Sequence, residues 1–331
     1  MKIYNNLVYI LLLGCFISIS SLASEKRLTG TLVVVNKKDN TVNFIDLESR
    51  KIKFTRATGK GPHELALSAD GRLAVVTNYS GGNSLTIFDV QQAQKIRTID
   101  LSNYPWPHGV LFLNDQRSVA VSSEGSDSVV IVDILSGKIS KAIGTKQKGS
   151  HMLALPESSE RVYTTNMSSD TVSELDIQSG ALLRKISTPK VPEAITVNRD
   201  GTELWVGSND KGLVTVFNLE NSEIIKQWSG FSFPYRVLLS SDEHFAVIPD
   251  YKNNTLDIID VKNKKKLRQI ALAWGTGPKG IAFYSDSRTL FMSAYGKDEV
   301  KVIDTISGNT LFELPTGSGP DGIGYSPIVL P

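Results

Sequence analysis

Residues 61–90 read GPHELALSADGRLAVVTNYSGGNSLTIFDV, and the same design returns five times further along the chain. Copies start at Trp106 (WPHGVLFLNDQRSVAVSSEGSDSVVIVDI), Gly149 (GSHMLALPESSERVYTTNMSSDTVSELDI) and Val191 (VPEAITVNRDGTELWVGSNDKGLVTVFNL). Two more start at Phe233 (FPYRVLLSSDEHFAVIPDYKNNTLDIIDV) and Gly277 (GPKGIAFYSDSRTLFMSAYGKDEVKVIDT). A polar residue closes the third apolar run of every unit, at Asp46, Asp89, Asp133, Asp176, Asn218, Asp260 and Asp304. The successive spacings are 43, 44, 43, 42, 42 and 44 residues. A period this constant marks a repeat architecture.

Each unit holds four short runs in which apolar and polar residues alternate. Turn clusters such as Asp70-Gly71, Gly81-Gly82-Asn83 and Asp200-Gly201 separate them, the signature of antiparallel strands. No window sustains a helical period. Four strands in about 43 residues make one propeller blade, a sheet that buries its faces only against neighbouring blades. The first unit, Thr31 to about Thr58, contains three strands, and the last fragment, Gly319 to Ser326, repeats only the first strand of a unit. Joining the two completes a seventh blade and removes both open edges. The expected fold is all-β: a seven-bladed β-propeller of four-stranded antiparallel blades over residues 24–331. The ring is closed by the C-terminal strand, around Ile323–Ser326, joining Leu32–Val35 of the N-terminal blade.

The pattern GPxxIAxSxDGxxxxVxN…VxVID resembles the YVTN-type β-propeller repeat family, across essentially the whole chain after residue 23. The chain is similar to exported bacterial seven-bladed propellers of that family. The resemblance implies the fold and leaves the activity open, because similar propellers serve as lactonases, lyases, cofactor housings and plain binding proteins.

Composition narrows the partners. Of 331 residues, 40% are hydrophobic, enough for a core, and 36 Lys+Arg nearly cancel 34 Asp+Glu. No field strong enough for nucleic acid results, and a monomer is expected. The single cysteine, Cys15, excludes an intrachain disulfide, a multi-cysteine zinc site and an iron–sulfur cluster. Residues 1–23 read as an export signal, with Lys2 before an apolar run and Ser21-Leu22-Ala23 as the cleavage pattern. The run is shorter than the ~20 residues that span a bilayer, so no transmembrane anchor is expected. Leu12-Leu13-Gly14-Cys15 offers a rival lipidation site, weakened by Leu13 before the glycine and by the short apolar run upstream. Cleavage after Ala23 leaves a thiol-free chain suited to the periplasm or to secretion.

The innermost strand of a blade starts at one rim of the central channel, and the second strand ends at that rim. At the start of the innermost strands stand His63, His108, His151, Glu193, Tyr235, Lys279 and Asp321. Three of the four histidines thus share one phase on three consecutive blades, with a carboxylate on the fourth. The ends of the second strands hold Asn36, Asn78, Ser123, Asn166, Ser208, Asp250 and Ala294, followed in six blades by Tyr79, Glu124, Met167, Asn209, Tyr251 and Tyr295. Glu124 falls on the same blade and rim as His108. Arg236 adds an anion clamp, and Trp106, Trp274, Phe231 and Phe233 add apolar walls.

Neutral imidazoles with a carboxylate are the usual ligands of divalent transition metals. His63, His108 and His151 are therefore the candidate metal ligands, with a divalent transition metal as the candidate cofactor; in the alternative reading each histidine bonds a neighbouring loop carbonyl and no metal is held. The ligand-binding candidates are Asn78, Trp106, Asn166, Tyr235, Arg236, Lys279 and Asp321. The catalytic candidates are Glu124 and Glu193. The fourth histidine, His244, falls in a turn on the opposite face. The recurring Asp46-type aspartates read as turn caps. No nucleophile elbow, phosphate-cradling loop or dinucleotide fingerprint occurs. Two readings follow. One is an envelope propeller that binds a small molecule, a metal ion or a partner protein. The other is a metal-assisted lyase or lactone hydrolase in which Glu124 or Glu193 moves protons. The lack of a recognisable nucleophile favours the first.

The export reading is checked by mass spectrometry of the exported protein. The mature chain is expected to begin at Ser24; a diacylated Cys15 would overturn this.

Overall fold

The computed structural model describes residues 27–157 and 160–331; residues 1–23, read above as an export signal, and Cys15 among them lie outside the described residues. Seven four-stranded antiparallel sheets account for all the strands, with no helix among the described residues. Blade 1 combines Thr31–Asn36, Thr41–Asp46 and Lys51–Ala57 with the C-terminal strand Pro320–Ser326. Blades 2 to 7 follow in chain order over residues 62–100, 107–144, 150–187, 192–228, 234–271 and 278–315. The predicted closure is present: Ser326 pairs with Thr31, Tyr325 with Leu32 and Ile323 with Val34. Blade 6 departs from the pattern, since its innermost strand is reduced to Leu238–Leu239 plus an isolated bridge from Pro234 to Asp250.

Packing explains why the strands alternate as they do. Seven apolar clusters each lie between two adjacent blades. Leu85, Ile87 and Val75 of blade 2 meet Val119, Val121 and Val130 of blade 3; Leu32, Val34 and Ile45 of blade 1 meet Phe291, Val300 and Val302 of blade 7. Each buried Val, Leu, Ile or Phe contributes ~1.5–3 kcal/mol, so the ring is held by inter-blade faces. The outermost strands have one face in water, and Lys51–Ala57 alternates strictly between exposed and half-buried.

Polar side chains fix the blades relative to one another. The turn between the second and third strands of one blade reaches the loop that leads into the next. Asn40 Oδ1 accepts from Gly61 N (2.7 Å), Asn83 from Trp106 N (3.0 Å), and Asp127 from Gly149 N (2.9 Å). Asp170, Asn254 and Asp298 do the same for Val191, Gly277 and Gly319. Most of these turn residues lie at φ 51–55°, where Asn and Asp are the tolerated side chains. The recurring aspartates cap turns as expected: Asp89 takes the Gln92 amide, Asp176 that of Ser179 and Asp260 that of Asn263. His244 is exposed in its turn beside Asp242. No helix of the described residues is long and apolar enough to cross a membrane.

Deleting residues 319–331 removes the strand that closes blade 1 and uncovers Leu32, Val34 and the packing of Ile323. The loss is expected to be ~3 kcal/mol or more, about 6–12 °C at ~2–4 °C per kcal/mol. A truncated protein that melts with the full chain in calorimetry would contradict this closure.

Candidate functional site

A β-bulge positions the mouth residues in six of the seven blades. In blade 2, Pro62 pairs with Asn78 but Leu65 pairs with Val76, so the innermost strand carries one extra residue at His63-Glu64. The same shift occurs between Pro107 and Val110, Ser150 and Leu153, Pro192 and Ile195, and Pro278 and Ile281. A bulge bends its strand and re-aims side chains. Here it turns bulge residues towards the crowded start of the channel, in blade 2 both His63 and Glu64.

Hydroxyl groups then clamp four consecutive blades together, blades 2 to 5. Thr77 Oγ1 accepts from the bulge amide of Glu64 (3.1 Å) and donates to the carbonyl of His108 on the next blade (2.8 Å). Ser122 accepts from Gly109 N (2.8 Å) and donates to the His151 carbonyl. Thr165 accepts from Met152 N (3.0 Å) and donates to the Glu193 carbonyl (3.3 Å). These clamps seat His108, His151 and Glu193 beside one another.

The result is a plug of polar side chains across the channel. The imidazoles of His63 and His108 lie 4.3 Å apart between centroids, and those of His108 and His151 stack at 3.5 Å. Tyr79 sets its ring edge-on to both His63 and His108 and donates its hydroxyl to Glu124 Oε2 (2.6 Å). That same oxygen lies 3.2 Å from His151 Nδ1. Glu193 Oε2 accepts from Asn209 (2.6 Å), and its Oε1 lies 3.9 Å from His151 Nε2. On the far side, Asp321 accepts from Tyr235 Oη (2.9 Å) and Lys279 Nζ (2.9 Å), with Lys37 Nζ at 3.8 Å. Lys279 rests over the rings of Tyr295 (4.0 Å) and Tyr235 (5.0 Å). Glu64 takes a bond from His63 Nδ1 (2.9 Å) and another from Arg236, which reaches it across the channel.

Burial and charge set the protonation states. Removal from water holds His63 below its ordinary pKa, against the pull of Asp321 and Glu64. His108, only 1% exposed, is held well below its ordinary value by burial and then by His151 and His63. Glu124 is lowered by its bond with His151, against burial, with the Tyr79 bond adding to it. For Glu64 burial opposes ionisation, and the Arg236 and His63 partners outweigh it. Asp321 is likewise buried yet held low by His63, Lys279 and Lys37. Burial, with Asp321, keeps Tyr235 protonated. Leaving the histidines aside, four carboxylates (Glu64, Glu124, Glu193, Asp321) face three cations (Lys37, Arg236, Lys279), a surplus of one negative charge.

His63, Glu64 and His108 each offer a ligand atom within 4.8 Å of the others, and all three are buried. His108 Nδ1 is buried without a hydrogen-bond partner. Neutral imidazoles beside an ionised carboxylate in a net-negative pocket suit a divalent cation. The structure thus gathers the expected His63 and His108 with Glu64, while His151 Nδ1 faces Glu124. Glu64 was legible only by phase, since it occupies the repeat position of Arg236. Lys37 was equally so, following Asn36 as Tyr79 follows Asn78.

Other expected residues take different places. Asn78 and Asn166 are fully buried inside their blades and spent on structure. Asn78 bonds Gly59 N, Ser84 and Thr86; Asn166 bonds Thr171, Ser173 and Ser150. Arg236 is no open anion clamp, because Glu64 is its counter-ion. Trp106 is 53% exposed and Trp274 90% exposed, as walls outside the plug, whereas Phe231 is buried between blades 5 and 6.

Fold and site together define a seven-bladed β-propeller whose channel is stoppered by an ionised, hydrogen-bonded plug. Comparisons with known proteins agree on the class. Residues 25–153 match the family described as lactonase, 7-bladed β-propeller, and residues 102–232 match the YNCE-like β-propellers. The chain is 21% identical over 326 residues to antigen Lp49 of Leptospira interrogans serogroup Icterohaemorrhagiae serovar copenhageni (strain Fiocruz L1-130), covering 91% of this chain and 69% of that protein. It also superimposes on the crystal structure of a functionally unknown protein from Desulfotomaculum acetoxidans DSM 771. That match has a TM-score of 0.77 and 16% identity, covering 90% of this chain and 99% of the other.

Because His63 and His108 bind protons less readily folded than unfolded, the unfolded chain takes up more protons below pH ~6.5. Their contribution is present above that pH and lost as the pH falls through their lower folded values. Urea unfolding in metal-free buffer is expected to show stability declining from about pH 6.5 downward. In a His63→Gln/His108→Gln protein the decline should start only in the carboxylate range, near pH ~4.5. Identical pH profiles would show the two histidines to be unperturbed.

Proposed function

We propose that this is an exported binding propeller of the cell envelope. It takes a divalent transition-metal ion in its plug, with His63, Glu64 and His108 as ligands. The observation that carries the reading is the buried cluster of His63, Glu64 and His108, with ligand atoms within 4.8 Å of one another; that His108 Nδ1 has no hydrogen-bond partner among the described residues supports it. The surplus negative charge of the plug supports a cation, and the close packing of the rings supports something ion-sized. An envelope location rests on the N-terminal sequence and accords with a relative named as an antigen. Tyr235, Lys279 and Asp321 belong in this reading to the plug's supporting shell, and Trp106 to the wall beside Glu124.

One observation favours a second, catalytic reading. Glu124 stands between Tyr79 Oη (2.6 Å) and His151 Nδ1 (3.2 Å), and its pKa is lowered. A carboxylate so placed orients an imidazole as a general base. The segment that resembles seven-bladed lactonases contains all three groups. Hydrolysis of a lactone, with Glu124 and His151 managing the proton and a metal polarising the carbonyl, is the reaction this arrangement would serve.

Calorimetric titration of the chelator-treated protein with Zn²⁺, Co²⁺ and Ni²⁺ tests both. One ion per chain is expected. His63→Ala/His108→Ala should weaken binding by 100-fold or more with the fold intact, while His151→Ala changes it little. Binding should also weaken as the pH falls below ~6.5. Absence of stoichiometric binding, or equal loss from His151→Ala, would overturn the ligand set. Lactone hydrolysis abolished by Glu124→Gln, with metal binding unchanged, would establish the catalytic reading.

A further inference from the structure

Beyond the bulges, each innermost strand presents a large aliphatic side chain to the channel: Leu65, Val110, Leu153, Ile195, Val237, Ile281 and Ile323. They enclose a cavity of about 240 Å³ on the side of the plug away from the histidines, extending towards Leu155, Val197 and Leu238. Its inner end is the Glu64–Arg236 pair, both members about nine-tenths buried. Six of the seven, all but Leu65, are core members of the clusters between blades, and the edges they leave towards the axis surround the cavity.

We propose that this cavity is a second binding site, on the side of the plug away from the imidazoles and touching the proposed metal cluster only at Glu64, for a small neutral amphiphile. Its apolar body would lie in the aliphatic tube and its hydrogen-bonding head would rest on Glu64 and Arg236. The charges choose the head. The pair sums to zero, and the plug behind it is net negative, so a carboxylate would be desolvated without a counter-ion. A neutral group that both donates and accepts meets both members of the pair. Glu64 Oε1 already serves His63 and Arg236, leaving Oε2 as acceptor. Of the five guanidinium N–H groups, Arg236 uses Nη1 on the Tyr235 carbonyl and Nη2 on Glu64 among the described residues. A primary carboxamide or an alcohol fits this description. A cavity of ~150 Å³ holds benzene, so 240 Å³ corresponds to a ligand of about ten non-hydrogen atoms.

The test uses the mature chain with octanamide, octan-1-ol and octanoate as probes. Titrations are followed by methyl NMR of Ile, Leu and Val. Octanamide is expected to shift the Ile195, Ile281, Ile323 and Val110 methyls saturably and to bind at least tenfold more tightly than octanoate. Ile281→Phe narrows the tube and Met152→Phe fills it from a half-buried site, so either folded variant should lose tenfold or more in affinity. His63→Ala/His108→Ala, which removes two of the three proposed metal ligands and keeps Glu64, should leave octanamide binding within twofold. Shifts scattered over the outer strands, no saturation at millimolar probe, or equal affinity for octanoate would overturn the assignment, whatever the metal titration shows.

Discussion

A blade cannot stand alone, and everything in this molecule depends on the ring being closed. Each sheet is four strands with two apolar faces, and neither face is buried until a neighbour lies on each side. The pairing of Pro320–Ser326 with Thr31–Asn36 makes the last neighbour and the first the same blade. Seven inter-blade clusters then exist instead of six, and the Leu32–Phe291 cluster is the one that closure creates. Closure also brings Asp321 from the end of the chain and Lys37 from its beginning to the same mouth, 3.8 Å apart.

The mouth is built by one rule applied blade after blade. In six blades a bulge at the start of the innermost strand turns residues inward, and a neighbour's turn residue holds the loop in front of it. Because the device is shared, the chemistry of the mouth is free to differ from blade to blade. Three histidines and a glutamate fall on the blades joined by the Thr77, Ser122 and Thr165 clamps, while the tyrosine, lysine and aspartate fall opposite. The Glu64–Arg236 bond crosses between the halves, joining blades 2 and 6 far apart in the chain. Burying these charges is tolerable only because each has a partner.

That plug divides the channel into two environments. On one side lie neutral imidazoles and a surplus of negative charge, a setting for a cation. On the other lies a tube of Leu, Val and Ile ending on a charge-balanced pair, a setting for a neutral, mostly apolar molecule. Glu64 stands at the boundary between them.

The number of blades, the closing strand and the phase that places seven residues at one mouth were legible in the sequence. They follow from period alone: equal phase in a repeat means equal height in a ring, and strand alternation shows which residues face neighbours. The histidines were found this way, as were Glu124, Tyr235, Lys279 and Asp321. What phase does not carry is direction and partnership. Asn78 and Asn166 sit at the right height but turn into their own blades, because Thr86 and Ser173 offer them hydroxyls there. Arg236 read as an anion clamp, yet Glu64, 172 residues away in the chain, neutralises it. Glu64, which the sequence reading did not single out, lies with His63 and His108 for a related reason: the bulge places two successive residues near the axis, and a one-residue shift in strand pairing leaves no mark on the repeat period. Those outcomes were decided by tertiary structure, since only the closed ring brings side chains from different blades within bonding distance.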